Sequence, residues 1–429
     1  MTGTTGDVHG RRRWSSALIV VCLVSLLCVS CNSSRSPVGR GFKLLVGSYY
    51  YLWFPQNLAQ GTLRADLVPP QGVTPATDQS TNPATAEKSI AQANKIGVNF
   101  FALDWWPDRP QQNVAVGDFL RAPNLSQIKF CMFYETWALG YNGSNETTTV
   151  DPQMEAEFDE QMLFFAHDYF HNPSYLRLHH RPVVVLYLTR TLTGDVTGMI
   201  AGARLLLEKH GYDPYFIGDE IFWRVTQINP PATGTTLTTE PQAKRIKAFD
   251  AITYYSLYFG GNSPNLGPAA DFAGYSGLTN IVADERHLFK SYCRASDDRV
   301  PIVPDISPGF NDRGVRLYIN HPAQARQWVP GAGPASLLDH LFQQVAVPSV
   351  DPRTPMIFVT SWNDWNEDTG VQPVPGVPTT RDDSPSGTAY TQGLTYGAEA
   401  DSAFRVLKKD IASARIRFAQ TPLTDRPNC

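Results

Sequence analysis

Pro355-Met356-Ile357-Phe358-Val359-Thr360-Ser361-Trp362-Asn363-Asp364-Trp365-Asn366-Glu367-Asp368 is an apolar strand that ends in a burst of tryptophan, asparagine and carboxylates. A purely structural strand has no use for such an ending, because burying unpaired carboxylates is costly. The segment therefore reads as the last strand of a barrel, opening onto a cleft at its C-terminal end. Asp364 and Glu367 are three residues apart and framed by Trp362 and Trp365. That pattern suits acid/base chemistry on a sugar.

Working back along the chain, seven more segments share this character: Leu44–Trp53, Val98–Trp106, Ile128–Tyr134, Pro182–Leu188, Tyr215–Phe222, Ala251–Tyr258 and Val300–Asp305, before Met356–Trp362. Most are continuous apolar runs rich in β-branched and aromatic residues, as parallel strands covered on both faces are. Helical stretches separate several of them: Ala84–Ile96, Gln153–His171, Thr197–His210, Ile281–Arg294 and Ala335–Val347. Eight strands alternating with helices predict an α/β fold of the (β/α)8 TIM-barrel type, a single domain with long βα loops. An open doubly wound sheet is the competing architecture, but no GxGxxG follows the first strand.

The long polar connections Pro55–Pro83, Leu139–Pro152, Arg224–Gln242, Gly260–Leu278 and Gly370–Gln392 each follow a strand, which places them on the barrel face that builds active sites. The strand ends repeat the theme of the last one. They carry Tyr50 and Trp53; Asp104, Trp105 and Trp106; Glu135; Tyr187; Asp219 and Glu220; Tyr255; and Asp312 with Arg313. Tyr50, Trp53, Asp104, Trp105, Trp106, Glu135, Tyr187, Glu220, Tyr255, Asp312, Arg313, Trp362 and Trp365 are the candidate substrate-binding residues, and Trp53, Trp105, Trp106 and Tyr255 the candidate sugar-stacking ones. Taken singly, Glu135, Asp219 and Glu220 also suit barrel-rim ion pairs, and Asp104 suits a turn cap.

The chain has 429 residues, is 18% charged with a formal net charge of −4, and is 11% aromatic with 9 Trp and 18 Tyr. The charge balance gives no footprint for nucleic acid. There is no HExxH, P-loop or GxSxG, and His167 and His171 lack a third ligand at suitable spacing, so no metal or organic cofactor is expected. Arg11, Arg12 and Arg13 precede a short apolar run, Ala17 to Val29, which is the pattern of an export signal over residues 1–31. Small residues before Cys31 resemble a bacterial lipobox, with Cys28 where leucine is usual. The chain is thus expected to be exported, either released or attached to a membrane through a lipidated Cys31. Residues 32–41 form a tether and residues 42–420 the catalytic domain. Of six cysteines, Cys131, Cys293 and Cys429 remain after the leader. One disulfide among them suits an oxidising compartment, and Cys131, in an apolar strand, reads as a buried thiol.

Val46–Trp53, Gly97–Trp106, Arg181–Tyr187, Val303–Arg313 and Ser361–Gly370 together resemble glycoside hydrolase family 99 and its wider clan of family 99-like proteins. The resemblance spans about residues 44 to 375 in strand order. It implies a barrel acting on α-linked mannose polymers, as an endo-α-mannosidase or endo-α-1,2-mannanase does. It also implies the roles: Asp364 assists attack by the sugar's own 2-hydroxyl, Glu367 is the general acid/base, and Arg313 is the family's site arginine; Arg313 and Tyr255 are then expected to position hydroxyls near the reacting carbon. The family carries glutamate where this chain has Asp364. The short Trp362–Glu367 pattern is also similar to fungal endo-α-1,3-glucanases of family 71. The expected activity is therefore an exported glycoside hydrolase acting on an α-mannan-like polysaccharide, with an α-1,3-glucanase or a non-catalytic carbohydrate-binding protein on the same barrel as alternatives. A glycan-biosynthetic role is opposed by the export signal.

Overall fold

The computed structural model describes residues 43–53, 80–139, 148–221, 243–255, 281–310, 324, 326–329, 331–365, 367–373, 377–378, 395–396 and 401–420. The leader, the tether, Cys31, Cys429, Asn366, Asp312, Arg313 and most of the long loops lie outside them.

Eight parallel strands build the fold: β1 (Leu45–Tyr50), β2 (Phe100–Trp105), β3 (Lys129–Glu135), β4 (Arg181–Tyr187), β5 (Tyr215–Asp219), β6 (Ala251–Thr253), β7 (Asp305–Ile306) and β8 (Met356–Val359). Each pairs with its sequence neighbour, and β8 returns to β1 with Leu45 opposite Met356 and Ser48 opposite Val359. The ring closes between β6 and β7 through one parallel bridge, Ile252 to Ile302. There Ile252 N–H donates to Pro301 O at 3.0 Å and Val303 N–H to Ile252 O at 2.8 Å. This is the expected (β/α)8 barrel. β2, β5 and β8 are buried along their whole length, which explains their unbroken apolar runs.

Helices cover the barrel: α1 (Pro83–Ile96), α2 (Pro110–Leu120), α3 (Pro152–Asp168), α4 (Val196–Lys209), α5 (Ile281–Ala295), α6 (Ser336–Leu341) and α7 (Ser402–Gln420). Their starts follow from local chemistry. Asn82 accepts the N–H of Ala84, and Asp151 those of Gln153 and Met154; proline follows each cap, where its missing N–H is no loss. Gly97, at φ 88°, ends α1 in the left-handed conformation and turns the chain directly into β2.

Two helices escape the sequence pattern. α2 mixes Val114 and Val116 with Gly117 and has little amphipathic contrast. α7 follows a long connection, packs against α1 and α6, and is tied by Arg415 to Gly97 O at 2.5 Å. The stretch expected as one helix, Ala335–Val347, is helical without a gap from Ser336 to Ser349, with α6 passing into a π-helical turn, Phe342–Ala346, before a last α-turn, Val347–Ser349. Pro348 explains the π turn, since it has no N–H and its ring crowds the carbonyl four residues back. That carbonyl, of Gln344, accepts from Arg286 at 2.8 Å.

The barrel interior is aromatic. Tyr49 lies 5.0 Å from Phe358 and 4.5 Å from Phe133, centroid to centroid. Gly47 makes room for Phe100: a Cβ there would stand 2.1 Å from Phe100 Cζ. Gly47→Ala is therefore expected to lower stability by about 1–3 kcal/mol, as overpacking a filled core does. Chemical denaturation, read as a shifted midpoint at constant slope, checks this. Cys131 is a free buried thiol, as its sequence environment predicts, and Cys293 is disulfide-bonded. Among the described residues no helix is long and apolar enough to cross a membrane.

Candidate active site

Side chains alternate along a strand, and that alternation sorts the strand-end residues. On β1 and just past it, Tyr49 and Tyr51 point inward while Tyr50 points out. Tyr50 packs on Phe101 and Phe119 and reaches Ser89 at 3.4 Å, under the helices. The inward tyrosine at the mouth is Tyr51, which the sequence reading passed over. Its hydroxyl is hydrogen-bonded to that of Tyr255, and its ring stacks on Trp53 at 4.3 Å. The same alternation on β2 turns Asp104 inward and Trp105 outward. Trp105 lies against Phe164 and Phe165 of α3, with its Nε1 donating to Asn113 at 2.6 Å. Tyr50 and Trp105 are thus packing residues of the helix layer, not cleft residues. Trp362 is likewise fully buried, against Phe101 at 5.2 Å.

The residues brought together at the mouth are Tyr51, Trp53, Asp104, Trp106, Glu135, Tyr187, Tyr255, Asp364 and Glu367. Tyr187 lies 5.2 Å from Tyr255, edge to face. Burial pushes the Tyr255 hydroxyl well above its ordinary range, and the Glu367 and Asp364 carboxylates add to the push. Tyr51 is raised by burial, then by Tyr255 and Asp364. Both phenols therefore stay protonated and act as donors at neutral pH.

The loop after β8 is cross-braced. Ser361 N–H donates to Thr369 O at 2.9 Å, Thr369 N–H to Asp364 O at 3.2 Å and Val371 N–H to Ser361 O at 3.0 Å. Asp364 N–H donates to Ser361 Oγ at 2.8 Å, and Asp364 Oδ1 accepts the Glu367 N–H at 3.1 Å. Asp364 is 1% exposed, whereas Glu367 is only partly buried and reaches the opening. Asn363 clamps the end of β1 and not the neighbouring carboxylates: its amide gives to Tyr51 O at 3.0 Å and its oxygen accepts Tyr51 N–H at 2.8 Å. Trp365 sits in the same turn and is nearly buried.

Other strand-end acids serve as braces. Asp219 takes Leu188 N–H at 3.0 Å, Arg190 at 2.5 Å and Tyr255 N–H at 3.0 Å, so it fixes Tyr255 from behind. Glu220 has both oxygens on Arg245 Nε, at 2.8 and 3.0 Å, and so binds a side chain of this chain rather than facing the opening.

The arginine beside the loop after β8 among the described residues is Arg326, which the sequence reading missed. Its Nη2 gives to Asp368 Oδ1 at 3.0 Å, Asp368 O at 2.8 Å and Gly370 O at 3.4 Å. Asp368, next to Glu367, has φ 55°, a left-handed conformation unusual for a residue with a side chain. Nothing local in the sequence singles out Arg326, because it meets Asp368 only through the tertiary fold. Among the described residues no group of His, Cys, Asp and Glu is arranged to hold a metal ion.

The family model described as Glycosyltransferase WbsX matches residues 78–377. The chain belongs to the WbsX glycosyltransferase family. The WbsX-family region carries β2 to β8, and with them Asp104, Glu135, Tyr187, Tyr255, Asp364 and Glu367. The chain is 23% identical over 299 residues to the uncharacterized protein WxcX of Xanthomonas campestris pv. campestris, in strains ATCC 33913 and B100 alike. That match covers 66% of this chain but only 38% of the length of these curated relatives. Among solved structures, the GH99 endo-alpha-mannosidase from Bacteroides thetaiotaomicron superposes with a TM-score of 0.57 at 17% identity, covering 88% of this chain and 98% of that one. A glycoside hydrolase-like protein superposes with a TM-score of 0.57 at 19% identity, covering 88% and 97%. At such identities the likeness is one of fold. The expected resemblance of this WbsX-family chain to the family 99-like barrels is borne out on that ground.

Proposed function

We propose that the protein is an exported glycoside hydrolase that cleaves an α-linked, mannan-like polysaccharide. The observation that carries the reading is the braced loop that holds Asp364 and Glu367 in one opening with the Tyr51–Tyr255 pair. In this reading Glu367 protonates the departing glycosidic oxygen, and Asp364 takes the proton of the attacking group. In an α-mannoside the 2-hydroxyl is trans to the leaving group. Its oxygen can form the C1–O2 bond as the C1–O bond to the leaving sugar breaks. Water, deprotonated by Glu367, then bonds C1 as the C1–O2 bond breaks, and O2 takes its proton back from Asp364. Trp53 and Trp106 offer ring faces to the sugar, and Tyr255 a hydroxyl. Arg313 belongs to this proposal from the sequence alone. The Cys293 disulfide supports an oxidising compartment, and with it export.

The family's name raises a second reading, transfer from a nucleotide sugar. Charge argues against it. The opening gathers Asp104, Glu135, Asp364 and Glu367, and three nearby arginines are already engaged: Arg190 with Asp219, Arg245 with Glu220, Arg326 with Asp368. A diphosphate entering such a mouth meets like charge. A non-catalytic binding role draws on one specific contact: Asp364 Oδ1 caps the Glu367 N–H, as a purely structural aspartate would.

Incubation of the full chain with α-mannans, α-glucans and arabinans, and separately with nucleotide sugars and acceptor glycans, tests these readings. The expected result is shortened α-mannan and no consumption of nucleotide sugar. Consumption of nucleotide sugar without hydrolysis overturns the proposal.

A further inference from the structure

Asp104 and Glu135 lie on adjacent strands at the mouth. Asp104 is directly opposite Phe133 in the β2–β3 register, and Glu135 lies two residues beyond Phe133 on the same face. Both are buried, at 0% and 3% exposure. Trp106 Nε1 reaches Asp104 Oδ2 at 3.2 Å and Gln112 Nε2 reaches the same oxygen at 3.4 Å, both long contacts. Asp104 Oδ1 and Glu135 Oε2 have no donor. Two neighbouring buried carboxylates, each with one oxygen that has no donor, repel and are poorly solvated, so they cannot both stay ionised.

We propose that Asp104 and Glu135 hold one proton between Oδ1 and Oε2 and form a second carboxyl pair that positions a substrate hydroxyl opposite Glu367. The proposal rests on the hydrolase reading for its ligand, but not for its proton. A singly protonated pair carries one charge, and its outer oxygens can accept from a hydroxyl. It recognises a neutral sugar and disfavours an anionic one.

The surroundings agree. Burial pushes the Asp104 carboxyl up to about 6, against the lowering contacts of Glu135, Arg109, Trp106 and Gln112. Glu135 is raised further, by burial and then by Asp104; Arg109 opposes this and Asp219 adds to it. As pH rises through about 6 the pair gives up one proton, and the raised Glu135 carboxyl is the group that retains the other.

Infrared difference spectroscopy of the full chain, recorded against Glu135→Gln, tests the pair without any turnover. The expected result is a protonated-carboxyl band at pH 8 in the wild type that is absent from Glu135→Gln. In Asp104→Asn its midpoint should move to lower pH, because the like charge is gone. A wild-type spectrum without that band, or a band unchanged in Glu135→Gln, overturns the proposal. Calorimetric binding of α-mannotriose tests the ligand. Glu135→Leu is expected to weaken binding at least about tenfold, the effect of losing a hydrogen bond to a charged group, while Glu135→Gln weakens it less. Equal binding by wild type and Glu135→Leu overturns the positioning role. A band at pH 8 in a protein that cleaves no glycan and binds no mannotriose leaves the shared proton standing and removes the hydrolase reading, whereas hydrolysis without the band does the reverse.

Discussion

Glu367→Gln is expected to lower turnover on the cleaved polysaccharide by at least about 10², the low end of what general acid–base catalysis contributes. The substitution keeps the shape of the side chain and removes its proton. Glu367 is held by its backbone: its N–H sits on Asp364 Oδ1, and Asp368 N–H bonds Trp365 O at 3.3 Å. The turn should therefore survive, and substrate affinity with it. Steady-state kinetics that separate kcat from KM, with circular dichroism as a folding control, check the result. Near wild-type kcat in Glu367→Gln would exclude it as the acid/base. Asp364→Asn makes a sharper companion test. Asparagine retains the oxygen that caps the Glu367 N–H, so a purely bracing role predicts little loss of turnover, whereas a proton-accepting role predicts a loss like that of Glu367→Gln.

Arg326→Met is expected to destabilise the folded chain by about 3–5 kcal/mol, the usual consequence of removing one partner from a buried ion pair. Arg326 and Asp368 have side chains only 5% and 7% exposed, so the carboxylate left behind would stay buried without the guanidinium that now balances its charge. The guanidinium also holds Asp368 O and Gly370 O, the backbone on the far side of Glu367. Its loss removes what holds Asp368 in the left-handed region, a conformation that costs on the order of 1–3 kcal/mol. Urea unfolding of wild type, Arg326→Met and the double variant Arg326→Met/Asp368→Asn measures this. Neutralising the stranded carboxylate should recover part of the loss. If the single variant unfolds at the wild-type midpoint, the ion pair does not brace the loop.

The barrel was legible because its strands are covered on both faces: Phe100–Trp105 and Met356–Val359 are apolar at every buried position but Asp104, and eight such runs leave little choice of architecture. The carboxylate pair was legible too, since Asp364 and Glu367 follow directly on a buried strand. α2 was not legible, because Val114, Val116 and Gly117 carry no helical stripe.

What the amino-acid order determined by itself was where each strand ends and which residue types gather there. Which of those residues face the opening was decided by the fold. Three consecutive tyrosines look equivalent in sequence, yet the pleat sends Tyr49 and Tyr51 inward and Tyr50 under the helices. The same half-turn separates Asp104 from Trp105. A shift of one residue in strand register exchanges the two sets, and register is set by neighbouring strands distant in sequence. Long-range contacts likewise assigned Asn363 to Tyr51, Glu220 to Arg245 and Arg326 to Asp368. A polar side chain becomes a brace or a site residue according to which partner the tertiary structure brings within hydrogen-bond reach, and no local pattern encodes that partner.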